Sequence, residues 1–581
     1  MLPRAAAHAL DRIADLLELR GESRFRTRAY RNAARAVSTL PGDDLAPLLR
    51  SGALAGIAGI GPATLAVLTE LIDTGESGYL EQLREDTPDG LVEMLRIPGL
   101  GTAKVRAIHE GLDIDTVLEL ERAARDGRLA ELSGFGPRTA ERVLRGIAYL
   151  REVSASVLVP QVRAEAERLT ALVARHPGVE RVAVGGSVRR RCEVSRDVDL
   201  VAACRQAPAA VAADIARTAD VRDAIGVGEA SVAIRFVDGT RLDLHCVPPE
   251  RFAAALWRAT GSAAHVEAVI ARARARGLLL VDDVLRTTTG ATVPVPDEAA
   301  LYAAVGLPYI EPELREGMGE MEAAANSALP SLLVPGDIRG VLHCHSQYSD
   351  GTATIADMAA AARARGWSYL GISDHSQSAA YAGGLTRDAV IAQHEEIDRV
   401  NTAMPDFRVL KGIEADILAD GRVDYDPELL DRFEYVIASV HSRFAMDEHT
   451  MTERVLRALD DPHVTILGHP TGRLLLTREP YAIDMDAVLS HAAERGVAVE
   501  LNADPHRLDL DWRLLRTAKR LGCTVEIGPD AHAPSGLDHM DIGVAIARKG
   551  WLEAADVLNT LDAERLVERA RARRTAAGAR A

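Results

Sequence analysis

RGVLHCHS (339–346), SYLGISDHS (368–376), RVLKGIEADI (408–417), YVIASVHS (435–442), VTILGHP (464–470), VAVELNA (497–503) and TVEIGPDAH (524–532) are seven short apolar runs, each ending in a potential metal ligand. Helical stretches such as TIADMAAAARARG (354–366) separate them. Short strands alternating with helices predict parallel β/α units, and ligands at the carboxyl ends of such strands meet at one mouth of a barrel. Six of the runs supply the strongest donors, His343, His345, His375, Glu414, His441, His469, Asp530 and His532, and Asp350 in SQYSDG adds a ninth. One histidine at a strand end is ordinarily a hydrogen-bonded structural residue, but six strands in succession with this ending are not accounted for that way. Nine N and O donors exceed the capacity of one ion, so a cluster of two or three is expected. Imidazole with carboxylate suits Zn2+, Mn2+ or Fe2+ more than Mg2+. Such a cluster activates water and clamps a phosphoryl oxygen, which is the equipment of phosphoester hydrolysis.

Upstream, VERVAVGGSVRRRCEVSRDVDLVAAC (179–204) predicts two strands, and SVAIRFVDGTRLDLHCV (231–247) a hairpin turning at Asp238-Gly239. Asp197 and Asp199 lie two apart on a strand and project from one face, where Asp243 can join them. Three converging carboxylates repel one another unless a cation lies among them, and hard oxygen donors suit Mg2+. Gly185-Gly186-Ser187 leads into Arg189-Arg190-Arg191, a glycine turn with hydroxyl and guanidinium groups fit for a triphosphate. A lone Asp-x-Asp more often marks a surface strand; the combination is what points to chemistry.

The start of the chain reads as helices over 5–37, followed by GIAGIGPATLAVL (56–68), RIPGLGTAKVRAI (96–108) and LSGFGPRTAERVL (132–144). Each is an apolar approach, a Gly-x-Gly turn (Gly59 and Gly61, Gly99 and Gly101, Gly134 and Gly136) and an amphipathic helix. Glycine lets the backbone take positive φ, and the free N-H groups of the next helix can point at a phosphate. Three copies beside an Arg-rich helix predict helix-hairpin-helix motifs that grip the nucleic-acid backbone without reading sequence.

The 581 residues allow about three to five domains, and 47% apolar with 26% charged residues describes a folded chain rather than a disordered one. No apolar run approaches a membrane span, and MLPRAAAHALDRIADLLELR is unlike a signal peptide, so a cytoplasmic address is expected. The five cysteines have no CxxC spacing, which excludes zinc-finger and disulfide frameworks. A net charge of -17 is the wrong sign for binding nucleic acid, but residues 1–40 hold eight Arg against four acids, five of them in ESRFRTRAYRNAARAV.

GGSVRRR, DVDLV, RLDLHCVPPERFAAAL and TGSAAH resemble the bacterial family X DNA polymerases, related to DNA polymerase beta. HxH, SDH, GIEADI, SVHS, GHPTGR and PDAH resemble the PHP (polymerase and histidinol phosphatase) domain, which that family commonly carries behind its polymerase core. The resemblance implies a multidomain α+β and α/β chain. Its expected parts are helical DNA-binding regions with hairpin motifs (1–80 and 81–152), a mixed-sheet nucleotidyltransferase palm (153–250) and a helical thumb (251–318). A linker (319–337) and a seven-stranded PHP barrel (338–575) complete it. It implies that Asp197, Asp199 and Asp243 hold Mg2+, that Gly186, Ser187 and Arg190 meet the nucleotide's phosphates, and that the nine barrel residues bind two or three Mn2+ or Zn2+ ions. The implied partners are gapped, nicked or primer-template DNA and deoxynucleoside triphosphates, with no membrane and a monomeric state.

Some positions depart from the family. Arg258 and Ala259 replace an aromatic pair that packs on the nucleotide sugar, and Val266 follows His265 in place of Asn. Ala63 and Val67 replace the lysines of members with deoxyribose-phosphate lyase activity, so Schiff-base chemistry is not expected there. Three functions remain: gap-filling polymerase with 3'-5' exonuclease, a DNA-binding platform feeding the nuclease alone, and a phosphatase of small phosphomonoesters.

Overall fold

The computed structural model describes the chain except residues 1–2, 39–44, 58, 75–76, 86, 96, 98, 154–155, 206, 219–220, 227–229, 237–240 and 579–581. It divides into two compact units, 1–155 and 156–581.

The first unit is helical. Pro3–Leu19 and Arg24–Ser38 pack through Leu10, Ile13, Leu17 and Val37, residues at the 3.6-residue period that gives a helix one apolar stripe, against Leu68 and Leu71 of Pro62–Thr74. A second core gathers Met94, Val105, Ile108, Leu120, Leu129 and Ile147. A capping box starts Val117–Arg125: Glu119 N-H donates to Thr116 Oγ1 and Thr116 N-H donates to Glu119 Oε2, both at 3.2 Å.

The second unit begins with a five-stranded sheet in the order Val179–Val184, Val198–Cys204, Arg241–Val247, Ser231–Phe236, Val221–Gly226. Its central pair is parallel and the other pairings are antiparallel, so the sheet is mixed. Val162, Leu169 and Val173 of one helix and Val211 and Ile215 of another cover one face. The alternation of strand side chains turns Leu200 and Leu244 into this core and leaves Asp199 and Asp243 on the opposite face. The proposed turn Asp238-Gly239 lies outside the described residues, and the edge strand Val221–Gly226 had no sequence reading.

Residues 251–318 are not wholly helical, as the sequence reading expected. Leu278–Val281 and Val284–Thr287 pair as an antiparallel hairpin. Asp282 and Asp283 take φ of +49° and +58°, the left-handed pair a two-residue hairpin turn needs, and β-branched Val and Thr flank it. The stretch 319–337, read as a linker, is packed on both sides. Glu320 is buried against His265 (Oε1 to Nδ1, 2.7 Å), and Leu333 enters the barrel's core.

Seven parallel strands follow in chain order, each hydrogen-bonded to the next: Gly340–Val341, Tyr369–Ile372, Arg408–Asp416, Tyr435–Ser439, Ile466–Leu467, Ala498–Asn502 and Val525–Gly528. The ends meet where Ala531 N-H donates to His343 O (3.2 Å) and His345 N-H to Ala531 O (2.9 Å), so the barrel is nearly closed. Strands with both faces covered read as continuous apolar runs, which is why seven such runs mark them. Thr354, Thr386, Asp447, Asp484 and Asp511 cap the intervening helices through side-chain oxygens. The last helix lies along the barrel floor, where Arg573 donates to Asp461 O and Leu459 O and Arg574 to Phe433 O. No helix among the described residues is long and apolar enough to cross a membrane.

Candidate metal centres and nucleic-acid contacts

At the mouth of the barrel the nine donors converge, and Glu414 is their hub. Its Oε1 lies 3.0 Å from His469 Nε2 and 3.2 Å from His441 Nε2; its Oε2 lies 2.9 Å from His375 Nδ1, 3.5 Å from His343 Nε2 and 3.8 Å from His345 Nε2. Three sets of donor atoms close to within 4.8 Å among themselves: His345, Asp350, His375 and His532; His343, His345 and Asp530; His375, Glu414 and His441. His469 adjoins the third set at 3.2 Å from His441. The backbone bends to reach this arrangement, with Asp530 at φ +49° and His469 at φ +23°.

The electrostatics fit a cation. Buried Nε2 of His343 and both ring nitrogens of His345 have no hydrogen-bond partner, a costly state unless something else coordinates them. Burial and the neighbouring His532 and His375 hold His345 down to about 3, and burial with Arg507 holds His469 to about 4, so both rings are neutral ligands at pH 7. Burial opposes charge on His375, His441 and His532 too, but Glu414 and Asp350 lift His375 to about 10, Glu414 and Asp416 lift His441 to about 9, and Asp350 and Asp530 lift His532 to about 9. Burial favours a neutral Glu414, yet His441, His375 and His343 hold it well below the usual carboxylate range.

Residues the sequence reading missed orient these donors. Glu500, buried on the sixth strand, places Oε1 2.5 Å from His343 Nδ1 and accepts from the His469 N-H at 2.5 Å, so the strand left without a strong candidate supplies the support of two others. Asp416 Oδ1 lies 2.7 Å from His441 Nδ1, which turns Nε2 toward Glu414. Asp374 accepts from Ser346 N-H (2.7 Å), Ser349 Oγ (2.5 Å) and Gln393 Nε2 (2.6 Å), steadying the loop that carries Asp350. Of these, Glu500 was legible as an acid inside a mostly apolar, wholly buried strand, whereas Asp374 and Asp416 stand among other polar residues.

In the mixed sheet Asp199 and Asp243 are direct partners across the parallel pair, and Asp197 precedes Asp199 by two. Burial, Asp197 and Asp243 push Asp199 up to about 7 against the pull of Arg190, and burial with Asp197 raises Asp243 against that of Arg241; the like charges outweigh these two arginines, which suits Mg2+. It is looser than the barrel's, since the donor sets closing within 4.8 Å among the described residues all lie in the barrel. Gly186 seats Asp199: its φ is +57°, and a Cβ there would lie 1.6 Å from Asp199 Oδ2. Ser187 and Arg190, read as free for a phosphate, are both engaged. Ser187 Oγ lies 2.5 Å from Ser195 Oγ, which donates to Asp197 O at 2.8 Å. Arg190 donates through Nε to Glu316 Oε1 (2.9 Å) and through Nη1 to Thr260 O (2.8 Å). Arg258, the departure from the family, donates to Asp283 Oδ1 at 2.7 Å, and Ala259 packs beside Gly185.

In the first unit Gly59, Gly99 and Gly134 take φ of +100°, +85° and +84°, while a Cβ on Gly61, Gly101 or Gly136 would meet nothing within 4 Å. The first glycine of each pair thus makes the turn and the second leaves room for another backbone. The first motif differs from expectation, because Gly61 N-H donates to Thr64 Oγ1 at 2.9 Å. Two of the clustered arginines are paired internally, Arg31 with Asp15 (2.8 Å) and Glu18 (3.0 Å), and Arg26 with Glu22 (3.3 Å). Val67 is buried in the core of this unit.

Comparison with known proteins matches residues 3–77 to "Helix-hairpin-helix domain", 91–148 to "SAM-like Helix-hairpin-helix tandem", 255–316 to "DNA polymerase beta thumb" and 342–504 to "PHP domain". The chain is similar to "DNA polymerase/3'-5' exonuclease PolX" of Bacillus subtilis strain 168, with 36% identity over 553 residues, covering 95% of this chain and 96% of that protein. It is also similar to a Shewanella oneidensis protein named "Probable phosphatase", 31% identical over 215 residues, covering 35% of this chain and 80% of that protein. A protein of the same name from Caldicellulosiruptor saccharolyticus is 27% identical over 212 residues, 34% of this chain and 82% of that protein.

Proposed function

The chain belongs to the PolX family of DNA polymerase/3'-5' exonucleases, and on that premise we propose a two-headed DNA repair enzyme whose sheet extends a primer and whose barrel trims it from the 3' end. The observation that carries the second activity is the convergence of five histidines on the two oxygens of Glu414. The phosphatase reading is less favoured, because the similarity to PolX runs nearly end to end whereas the phosphatases match about a third of the chain.

In the barrel, two or three ions, Mn2+ or Zn2+, would be held by the nine donors, which group as His345, Asp350, His375 and His532, as His343, His345 and Asp530, and as His375, Glu414, His441 and His469, with His345 and His375 each serving one ion. Divalent ions bound there would polarise the phosphodiester and lower the pKa of an attacking water. Glu500 and Asp416 hold His343 and His441 in the tautomers that present Nε2 inward. Arg507, whose Nε lies 3.4 Å from Asp530 Oδ2, places a cation where phosphate charge arrives. Hydrolysis breaks the bond between the terminal phosphorus and the preceding 3' oxygen, releasing a nucleoside 5'-monophosphate and leaving a new 3'-hydroxyl.

In the sheet, Mg2+ held by Asp197, Asp199 and Asp243 would neutralise the triphosphate. Gly186 and Ser187 shape the turn beside it, and Arg190 can turn from Glu316 to a phosphate. The primer 3' oxygen bonds to the α-phosphorus and pyrophosphate leaves. The hairpin glycines Gly59, Gly61, Gly99, Gly101, Gly134 and Gly136 would admit the DNA backbone, and the enzyme would act as a cytoplasmic monomer on gapped DNA. Primer extension and digestion on one gapped substrate test both heads. Extension with Mg2+ and shortening from the 3' end with Mn2+ are expected; absence of extension with every nucleotide, while digestion proceeds, would favour a DNA-binding platform serving the nuclease.

A further inference from the structure

Tyr381 is the most exposed large apolar side chain among the described residues of the second unit, 71% accessible, and it stands beside the metal ligands. Its ring centroid lies 6.1 Å from that of His375 and 6.2 Å from that of His441, so it borders the set built on Glu414. The loop beneath it is braced. Leu385 N-H donates to His375 O (2.9 Å) and Ala379 N-H to Ser376 O (3.0 Å), Gly384 N-H and Ala382 N-H both donate to Ala379 O (3.1 and 2.9 Å), and Ser378 N-H donates to Asp424 Oδ2 (2.8 Å). Gly384 must be glycine, because a Cβ there would lie 1.9 Å from Ser376 O. Ala379, Ala382 and Leu385 are buried. Tyr381 is turned outward on this braced loop.

A rigid aromatic face at the rim of a phosphodiester-cleaving centre has one chemical complement in a DNA strand, a nucleobase. Stacking on it tolerates every base, because each has a π-face, and a tyrosine gives up little rotamer freedom to offer it. A phosphate monoester without a ring would gain nothing from such a wall.

We propose that Tyr381 is the base-stacking platform of the nuclease site, holding the 3'-terminal nucleobase while its phosphodiester lies over the ligands, and so selects DNA ends over small phosphomonoesters. The proposal rests on the nuclease reading of the barrel. It is tested with the full-length protein and Mn2+ on two single-stranded oligonucleotides, one ending in an ordinary nucleotide and one whose last residue is abasic. The wild type should shorten both, and failure on the ordinary end would remove the nuclease reading itself. Tyr381→Ala should lose roughly tenfold in kcat/KM on the base-bearing end and almost nothing on the abasic end, while Tyr381→Trp keeps the wild-type preference. Manganese uptake by Tyr381→Ala should match the wild type. Equal losses on both ends, or no loss on either, would overturn the proposal.

Discussion

Glu193 Oε1 lies 2.6 Å from Arg473 Nη2, and both side chains are only 9% exposed although 280 residues separate them. Glu193 follows the Arg189-Arg190-Arg191 run of the sheet domain, and Arg473 follows the ligand His469 in the barrel, so one ion pair ties the loops beside the two centres. Arg473 also donates to Asp511 Oδ2 (2.7 Å) and to Arg507 O (3.0 Å), which satisfies a guanidinium taken out of water.

Arg473→Met would leave Glu193 buried with Arg513, 4.0 Å away, as its nearest cation. Removing one partner of a buried pair costs about 3 to 5 kcal/mol. Thermal denaturation should therefore show a markedly lower midpoint for Arg473→Met than for Glu193→Gln, which keeps an acceptor. Equal midpoints for both variants and the wild type would show that the pair contributes nothing.

Lys549, fully buried at the end of a barrel helix, contacts Glu316 and donates to Arg190 O at 3.1 Å. If Arg190 turns to a triphosphate, as proposed, Lys549 would keep Glu316 from being left buried without a cation. Lys549→Met should raise the KM for deoxynucleoside triphosphates by roughly tenfold with kcat little changed, and the double variant with Glu316→Gln should recover most of the loss. Digestion by both variants should equal that of the wild type, which steady-state assays on the same substrate will show.

The two centres should be separable. Asp199→Asn should reduce gap filling by at least about a hundredfold and leave digestion intact, and Glu414→Gln should do the reverse. Gly186→Ala should behave like Asp199→Asn, since the added methyl occupies the place of the Asp199 carboxylate. Parallel extension and digestion assays read all three.

Manganese uptake should release protons. Without metal, His375 holds its proton up to about 10, and His441 and His532 theirs up to about 9, whereas a ligating imidazole must be neutral. Affinity should thus rise with pH from 7 to about 10 and flatten above that value. His345 and His469, at about 3 and about 4, have no proton to give in that range. Calorimetry at pH 7 in two buffers of different ionisation enthalpy should report net proton release; identical heats would contradict it.

Much of the barrel was legible because its signals are local. Each strand is a short apolar run set by burial on both faces, and six of the seven end on a residue whose chemistry names itself. The thumb hairpin was missed because LLLVDDVLRTTT has an apolar run that suits helix or strand alike, and the left-handed Asp282 and Asp283 decide between them. The linker reading of 319–337 relied on proline and small residues, which describe composition but not what packs on either side.

Residue identity and spacing by themselves determined the seven β/α units, the two carboxylates on one strand face, the three glycine turns and the nine donors, because periodicity and turn chemistry act over a few residues. Only the tertiary structure decided that Glu414 lies at the centre, that Glu500 and Asp416 aim the histidines, that Arg190 rests on Glu316 and Arg473 on Glu193, and that Tyr381 faces outward. Those relationships join positions up to 280 residues apart. They exist because closing the barrel and seating the sheet domain against it bring buried charges next to groups of opposite sign.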